Sequence, residues 1–524
     1  MSTVQIMNTA RQPALDRLRE TLNRWLLPAL LLLALALRLY MLSTKSFWAD
    51  ELDQILYGQG TVAFTLSSTT PPIDYLITHL IVHYVGTSEF IVRLPDVVWG
   101  VLAVFMVCQL GRTLFDRPTG YLAAFLLAIL PLHIQYSQEA RYYSLPTFLF
   151  ILCVYTAVQV LNRPTRIGWF LYSVTGILAL FTHLYAAPLL ALLGLWVVLI
   201  KRPSRSVLIA FIVATGIPSM LFILWFLSER GSYLFSRAIY GSPLLLNMIA
   251  APFFDLSLGF KIFTAQNGGS AQATTVTALN TVLWIVVIYW SLLIVALIIT
   301  LHRRTPGTVR TALSLCLIVA FGGLLASFVV DYVTQYFFDP RQFVFFTPYI
   351  CLSIAASYLT LIRSSRLRFF KNLSVDRLTG GSILGLAVVS LLIFWTPIAD
   401  VYAAPTQDWR SLAQNLVQTM EAEDALISPF TAYLGFYQPT LLTRTPPGML
   451  ESVTGLWSRG YPNMPLDAAT MSITAKQYKR LWIILLGPSS YQRPPALTDW
   501  IAANHLTPQR YSQDIEVYIY PLVQ

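Results

Sequence analysis

The chain has 524 residues, of which 56% are hydrophobic and 11% are charged. Soluble globular proteins usually carry about 25% charged residues, so this composition excludes water-soluble enzymes and indicates a polytopic α-helical membrane protein. The net charge of +10 does not indicate a nucleic-acid partner, because basic residues in a membrane protein mainly mark the cytoplasmic loops.

Apolar runs predict the membrane-spanning helices. A basic N-terminal segment, residues 1–24, precedes a first run with the features of a retained signal anchor. Runs long enough to cross about 30 Å of hydrocarbon lie near 25–43, 92–111, 119–135, 144–161, 207–227, 276–300, 311–332, 343–362 and 379–398. The longer stretch 168–200 is interrupted at His183 and Pro188, which predicts two more helices. Residues 25–400 are therefore expected to form about eleven spans.

The basic residues predict the orientation of these spans. Every short loop on one side is basic, as the positive-inside rule requires of cytoplasmic segments. These loops contain Arg112, Arg117, Arg163, Arg166, Lys201, Arg202, Arg303, Arg304, Arg363 and Arg366. We therefore predict an integral plasma-membrane protein with a cytoplasmic N-terminus. An odd number of spans places the C-terminus outside.

Three segments are predicted to lie on the outer side. The first outer loop, 44–91, contains a short apolar run at 72–85 that is typical of an interfacial helix. The second, 229–275, mixes aromatic and polar residues and is predicted to be a lid at the membrane interface. Residues 401–524 predict a small extracytoplasmic α/β domain. Its predicted strands are Ala425 to Pro429, Leu481 to Leu486 and Glu516 to Tyr520.

Ionisable residues cluster at the outer ends of the predicted spans. Such residues are costly beside lipid and usually have a function there. Four clusters on one face favour a functional site over isolated helix-end residues. They are Asp50 with Glu51 and Asp53; Glu139 with Arg141 and Tyr142; His183 with Tyr185; and Asp339 with Arg341.

These residue types suit group transfer from a phosphate-bearing lipid. Arginine pairs with phosphate through a planar fork and does not lose its proton, and a carboxylate within hydrogen-bond reach can take a proton from an acceptor hydroxyl. His79 and His83 have the i, i+4 spacing of some metal ligands. They are weak candidates, because one face of an interfacial helix explains them better. Metal dependence stays open.

Several motifs resemble one family of membrane enzymes. They are Trp48-Ala49-Asp50-Glu51, Pro71-Pro72, Glu-Phe-Ile-Val-Arg-Leu-Pro at 89–95, Ser-Gln-Glu-Ala-Arg-Tyr at 137–142, Thr182-His183 and Asp339-Pro340-Arg341. In order and spacing the chain resembles the GT-C membrane glycosyltransferases, in particular the bacterial protein O-mannosyltransferase-like and aminoarabinose-transferase-like group. The first 200 residues carry most of this resemblance.

The resemblance implies a GT-C-like catalytic domain and a specific reaction. A hexose or pentose would pass, with inversion, from a polyprenyl-phosphate carrier to a lipid, glycan or protein acceptor on the outer side. Asp50 would be the general base or an acid that orients the acceptor, with Glu51 as its supporting neighbour. Glu139 would be a second catalytic acid, and Arg141, Tyr142 and Arg341 would bind the donor phosphate.

Asp74 departs from the pattern of this group. It stands where an apolar or aromatic residue is usual, which marks either a changed acceptor or a metal ligand. His183, Tyr185 and Asp339 complete the set of candidate site residues.

Three alternative functions make different predictions. A polyprenyl-diphosphate glycan ligase or polymerase also needs arginines, but the motif order favours a monophosphate donor. A lipid or sugar transporter is expected to carry charges near the bilayer midplane and often an inverted repeat, whereas these charges lie at one rim. A receptor leaves the clustering of Asp50, Glu139 and Arg341 unexplained.

Overall fold

The computed structural model describes residues 24–66, 71–229, 276–302, 305–326, 329, 344–363, 375–402, 407–446, 468–486, 495–512 and 515–521. The predicted lid at 229–275 lies outside this part of the chain, except for its first residue. Asp339 and Arg341 also lie outside it. The predictions for these segments stay predictions.

The secondary structure is mainly helical. The helices are α1 (residues 24–39), α2 (Ala49–Gln59), α3 (Val62–Leu66), α4 (Pro72–Tyr84), α5 (Glu89–Leu114), α6 (Arg117–Ile129), α7 (Pro131–Tyr136), α8 (Ser144–Asn162), α9 (Arg166–Leu180), α10 (Ala186–Trp196), α11 (Arg205–Glu229), α12 (Val276–Leu301), α13 (Gly307–Leu317), α14 (Thr347–Arg363), α15 (Val375–Val401), α16 (Trp409–Thr419), α17 (Thr431–Tyr437), α18 (Ala468–Ala475) and α19 (Pro495–Ala503). The strands are β1 (Asp424–Ile427), β2 (Arg480–Leu486), β3 (Gln509–Ser512) and β4 (Ile515–Pro521).

The chain divides into two compact units. The first contains the described residues of Met1–Tyr40, Leu94–Phe260 and Thr275–Val401. The second contains those of Met41–Arg93 and Tyr402–Gln524. The segment that carries Asp50 therefore belongs with the C-terminal residues, although more than 300 positions separate them in the sequence.

Apolar helices make the chain an integral membrane protein. In the described part of the chain, five helices are long and apolar enough to cross a membrane: Glu89–Leu114, Ser144–Asn162, Arg205–Leu227, Gly307–Ala326 and Val344–Arg363. Shorter apolar helices cover Arg117–Ile129, Arg166–Leu180, Ala186–Lys201, Val287–Leu301 and Gly381–Trp395. The count of about eleven spans stays a prediction.

One predicted span differs from the observed helices, and one predicted helix break agrees with them. A single span was expected over 119–135, but α6 ends at Ile129 and α7 begins at Pro131. Leu130 has extended backbone angles, as the residue before a proline usually does. The stretch 168–200 is broken as expected, because α9 ends at Leu180 and α10 begins at Ala186.

Close helix packing in the first unit depends on small residues. A β-carbon on Gly111 of α5 would lie 2.7 Å from the α-carbon of Gly120 on α6. Such a distance is too short for any side chain, so the two backbones touch at this point. Small residues permit the same close approach in membrane helices generally.

The sheet of the second unit has the order β1-β2-β4-β3. β1 pairs with β2 in parallel, and β2 pairs with β4 in antiparallel orientation. β2 is buried along almost its whole length, and α18 and α19 cover it through Met471, Leu497 and Trp500. The edge strand β3 was not predicted, because Gln509–Ser512 is polar and mostly exposed.

A buried acid joins the edge strand β1 to the central strand β2. Asp424 is 2% exposed and accepts hydrogen bonds from Arg480 Nε at 2.9 Å and from Trp482 Nε1 at 3.1 Å. Burial by itself raises the pKa of Asp424. The hydrogen bonds from Arg480, the Glu421 amide and Trp482, together with the charge of Arg480, hold this pKa below its ordinary value.

Asp424 is expected to make the sheet sensitive to acid. A lowered pKa contributes stability above the unfolded pKa of about 3.9, and this stability is lost as pH falls through the folded pKa. The stability difference between wild type and Asp424→Asn should therefore shrink between pH 6 and pH 3. Hydrogen exchange of β1 and β2, corrected for intrinsic rates, measures it. An unchanged difference would contradict the assignment.

Candidate active site

The first acidic cluster forms the opening turn of α2. Trp48 precedes the helix, and Asp50 and Glu51 occupy its first turn, where the helix dipole stabilises negative charge. Asp50 is half-buried, whereas Glu51 and Asp53 are buried. Because residues three apart lie on neighbouring positions of a helix surface, Asp50 and Asp53 share one side of α2.

Glu51 forms a buried ion pair with Arg93. Arg93 Nε donates to Glu51 Oε1 at 2.8 Å, and Nη2 donates to Oε2 at 2.7 Å. The remaining donors of Arg93 bind the carbonyl oxygens of Leu42, Lys45 and Ser46. This bidentate geometry is the strong form of the interaction. It ties the turn before α2 to the start of α5, and the supporting role of Glu51 stays a prediction.

Asp53 and Asp74 also accept hydrogen bonds inside the second unit. The hydroxyl of Tyr433 donates to the carboxylate of Asp53. Gln54 Nε2 donates to Asp74 and, at 2.8 Å, to Thr78 Oγ1. Asp74 is 5% exposed, and its hydrogen bond with Gln54 joins α4 to α2. Whether it also touches an acceptor or a metal stays a prediction.

His79 and His83 pack against backbone rather than forming a larger polar cluster. His79 Nδ1 lies 2.8 Å from the Gly58 carbonyl oxygen, and His83 Nδ1 lies 3.0 Å from that of His79. The described residues include no group of three histidines, cysteines or acids that would hold a metal ion. The pair as a metal site therefore stays a weak prediction.

The second cluster lies in the first unit, on the turn between α7 and α8. Glu139 Oε1 accepts from Gln135 Nε2 at 3.2 Å. The Arg141 guanidinium lies 4.4 Å from the centre of the Tyr142 ring, and its Nη2 donates to the Tyr142 hydroxyl at 2.9 Å. Arg141 is 7% exposed, so its charge is held away from bulk water.

His183 packs beside this turn. Its ring centre is 5.4 Å from that of Tyr142, 5.1 Å from that of Tyr185 and 4.5 Å from that of Phe345. Burial, followed by the charge of Arg141, lowers the pKa of His183 to about 3. The Tyr185 amide donates to Nδ1, so the neutral ring carries its proton on Nε2. The predicted residues Arg141, Tyr142, His183 and Tyr185 therefore form one group.

Arg38 is a residue whose importance the sequence analysis missed. It is fully buried and donates to the carbonyl oxygens of Ala34 and Ala128 at 3.0 and 3.1 Å. It also donates to Ser137 Oγ at 3.2 Å and to His133 Nδ1 at 2.7 Å. Arg38 thus fixes the start of the turn that carries Glu139 and Arg141. An arginine within an apolar run was the available signal.

Known proteins resemble this chain in part of its sequence and in its fold. Residues 69–228 match the family model described as dolichyl-phosphate-mannose-protein mannosyltransferase. The crystal structure of ArnT from Cupriavidus metallidurans bound to undecaprenyl phosphate superposes with a TM-score of 0.56 at 12% identity, covering 94% of this chain and 97% of that one. No curated protein sequence matches the chain significantly.

The chain has the fold of the GT-C membrane glycosyltransferases. The resemblance to this group that the motifs indicated is thereby confirmed. A second GT-C structure, the Archaeoglobus fulgidus oligosaccharyltransferase in the apo form, has a TM-score of 0.53 at 13% identity and covers 88% of this chain and 69% of its own. The archaeal oligosaccharyltransferase AglB from Archaeoglobus fulgidus, in complex with an inhibitory peptide and a dolichol-phosphate, has a TM-score of 0.52 at 12% identity. The match covers 89% of this chain and 69% of that chain.

Proposed function

We propose that this protein transfers a hexose or pentose from a polyprenyl-phosphate carrier to an acceptor on the outer face of the membrane, with inversion. The observation that carries the proposal is the setting of Asp50 on the first turn of α2. Glu51 is committed to Arg93, and Asp53 and Asp74 are buried hydrogen-bond acceptors. Asp50 is the most exposed of these four acids, as a carboxylate that contacts a substrate needs to be.

The reaction follows from a base and a good leaving group. Asp50 takes the proton of the acceptor hydroxyl, and the acceptor oxygen attacks the anomeric carbon opposite the phosphate. The bond between the anomeric carbon and the phosphate oxygen breaks as the new bond forms, which inverts the configuration. The polyprenyl phosphate leaves as an anion, so stabilising its charge matters more than a strong general acid.

Arginines and aromatic donors are proposed to hold the carrier phosphate. Arg141 brings a partly desolvated positive charge, with the Tyr142 hydroxyl at 2.9 Å and neutral His183 beside them. Arg341, outside the described residues, is proposed as a further phosphate ligand, and Glu139 as a second acid. Two of the related structures contain undecaprenyl phosphate or a dolichol-phosphate, which supports a polyprenyl-phosphate carrier here.

In the proposed topology this chemistry takes place on the outer face of the membrane. The N-terminus is cytoplasmic, about eleven spans follow, and residues 401–524 form an extracytoplasmic domain. This domain is proposed to select the acceptor. Deleting 401–524 and finding the same acceptor choice and activity would remove that assignment.

A donor panel tests the proposed reaction. The purified protein in lipid vesicles receives polyprenyl-phosphate and polyprenyl-diphosphate sugars with lipid, glycan and peptide acceptors, and protein-free vesicles serve as control. We expect monophosphate donors to yield free polyprenyl phosphate and a glycosylated acceptor of inverted anomeric configuration, assigned by NMR. Consumption of diphosphate donors alone would support a ligase or polymerase. Lipid flipping without transfer would support a transporter.

A further inference from the structure

The N-terminus of α2 is capped in part by its own Glu51, whose Oε2 accepts from the Trp48 amide at 3.2 Å. The first backbone N–H groups of a helix have no partners inside the helix. They are usually satisfied by the side-chain oxygen of the N-cap residue. The N-cap residue here is Trp48, whose indole is a donor only. Ala49 is 4% exposed, so its amide needs an acceptor inside the protein.

Gln407 supplies this acceptor. Its Oε1 accepts from the Ala49 amide at 2.9 Å, across 358 positions of sequence. Ala49 is the first residue of α2, and Asp50 is the next. The hydrogen bond therefore acts on the peptide between Trp48 and Ala49, one residue before the proposed base.

Two donors to the same oxygen fix the orientation of the Gln407 side-chain amide. Oε1 also accepts from Trp409 Nε1 at 3.2 Å, and Trp409 is fully buried. Because both neighbours are donors, the carbonyl oxygen rather than the amide nitrogen must face them. The Gln407 backbone carbonyl accepts from Ser46 Oγ at 2.8 Å. The glutamine thus has a single geometry that satisfies its neighbours.

Further contacts join the same two segments. The Tyr437 hydroxyl accepts from the Phe47 amide at 2.8 Å and donates to Glu89 at 3.2 Å. Arg410 Nη1 lies 3.1 Å from Glu89 Oε1. These contacts flank the Gln407 cap and hold the chain before α2 against the C-terminal residues.

From this geometry we propose that Gln407 is a positioning residue that caps α2 from a distant part of the same chain. The cap sets the direction of the Asp50 carboxylate toward the acceptor. The effect on catalysis rests on the proposed function, whereas the cap itself does not. Its consequence is that the C-terminal residues take part in every turnover, including those in which they make no contact with substrate.

The variant Gln407→Met tests the cap, because methionine keeps the length of the side chain and removes the acceptor. Losing a helix cap costs about 1 kcal/mol, which corresponds to about fivefold faster hydrogen exchange at the start of α2. Turnover per donor-binding protein is expected to fall about tenfold, with the KM for the donor unchanged. Gln407→Glu keeps an acceptor oxygen and should restore both properties.

Gln414→Met is the matched control, since Gln414 is exposed on α16 and should leave both measurements unchanged. Wild-type exchange at 49–59 in Gln407→Met would overturn the cap, whatever the activity. Faster exchange with unchanged turnover would overturn the positioning role alone. If wild type transfers no sugar while exchange still responds, the proposed function fails and the cap stands.

Discussion

Replacing Asp50 with asparagine is expected to lower the turnover of sugar transfer by about 10²- to 10⁴-fold, the usual contribution of a general base. Asparagine has almost the same shape as aspartate but cannot accept the acceptor proton. The hydrogen bond from the Ala49 amide to Gln407 does not involve the Asp50 side chain, so α2 should keep its position. The binding constant for the lipid-linked donor should therefore stay near its wild-type value.

The control for this variant is Asp499→Asn. Asp499 is exposed on α19, so this change makes the same chemical alteration in the second unit and should leave turnover as it is. Turnover is measured as polyprenyl phosphate released per donor-binding protein. Equal turnover in wild type and Asp50→Asn would remove Asp50 from the mechanism and direct attention to Glu139.

Breaking the ion pair between Glu51 and Arg93 is expected to destabilise the second unit by about 3 to 5 kcal/mol. Both side chains are at most 5% exposed. Glu51→Ala would leave the Arg93 guanidinium buried without its carboxylate, and that uncompensated charge is the source of the cost. The measurement is hydrogen exchange of 41–60 in vesicles, together with the temperature of unfolding.

Two comparisons separate this charge effect from general damage. The double variant Glu51→Met with Arg93→Met removes both charges and should recover part of the loss. The recovery is partial because Arg93→Met also removes the donors to the carbonyl oxygens of Leu42, Lys45 and Ser46. The pair between Lys479 and Glu421 is about half exposed, and Glu421→Ala should change stability little. A double variant no more stable than Glu51→Ala would contradict the ion-pair assignment.

Apolar periodicity and motif order were sufficient to predict the class of fold. The helix break at His183 and the separate course of 72–85 followed from charge and proline placement. The strand β2 covers the predicted Leu481 to Leu486, because a buried central strand reads as a continuous apolar run. The edge strand β3 has no such run, so sequence gave no signal for it.

The candidate site was only partly predictable for a physical reason. Asp50, Glu139 and Arg141 stand out as charges beside apolar runs. The residues that position them do not. Gln407 caps a helix 358 residues earlier, and Tyr433 binds Asp53 across 380 residues. A glutamine or tyrosine in a polar domain is ordinary by itself, and only the folded chain reveals its partner.

The buried Arg38 constrains the order in which segments of this chain can fold during synthesis. Two of its hydrogen-bond partners, Ala128 and Ser137, are encoded 90 and 99 positions later. At a synthesis rate of about 5 to 20 residues per second, they emerge about 5 to 20 s after α1. During that interval the guanidinium must remain solvated at the interface, as long cationic side chains near helix ends can. Helix α1 is therefore synthesised early, but Arg38 can complete its hydrogen bonds only after α6 and α7 have been synthesised.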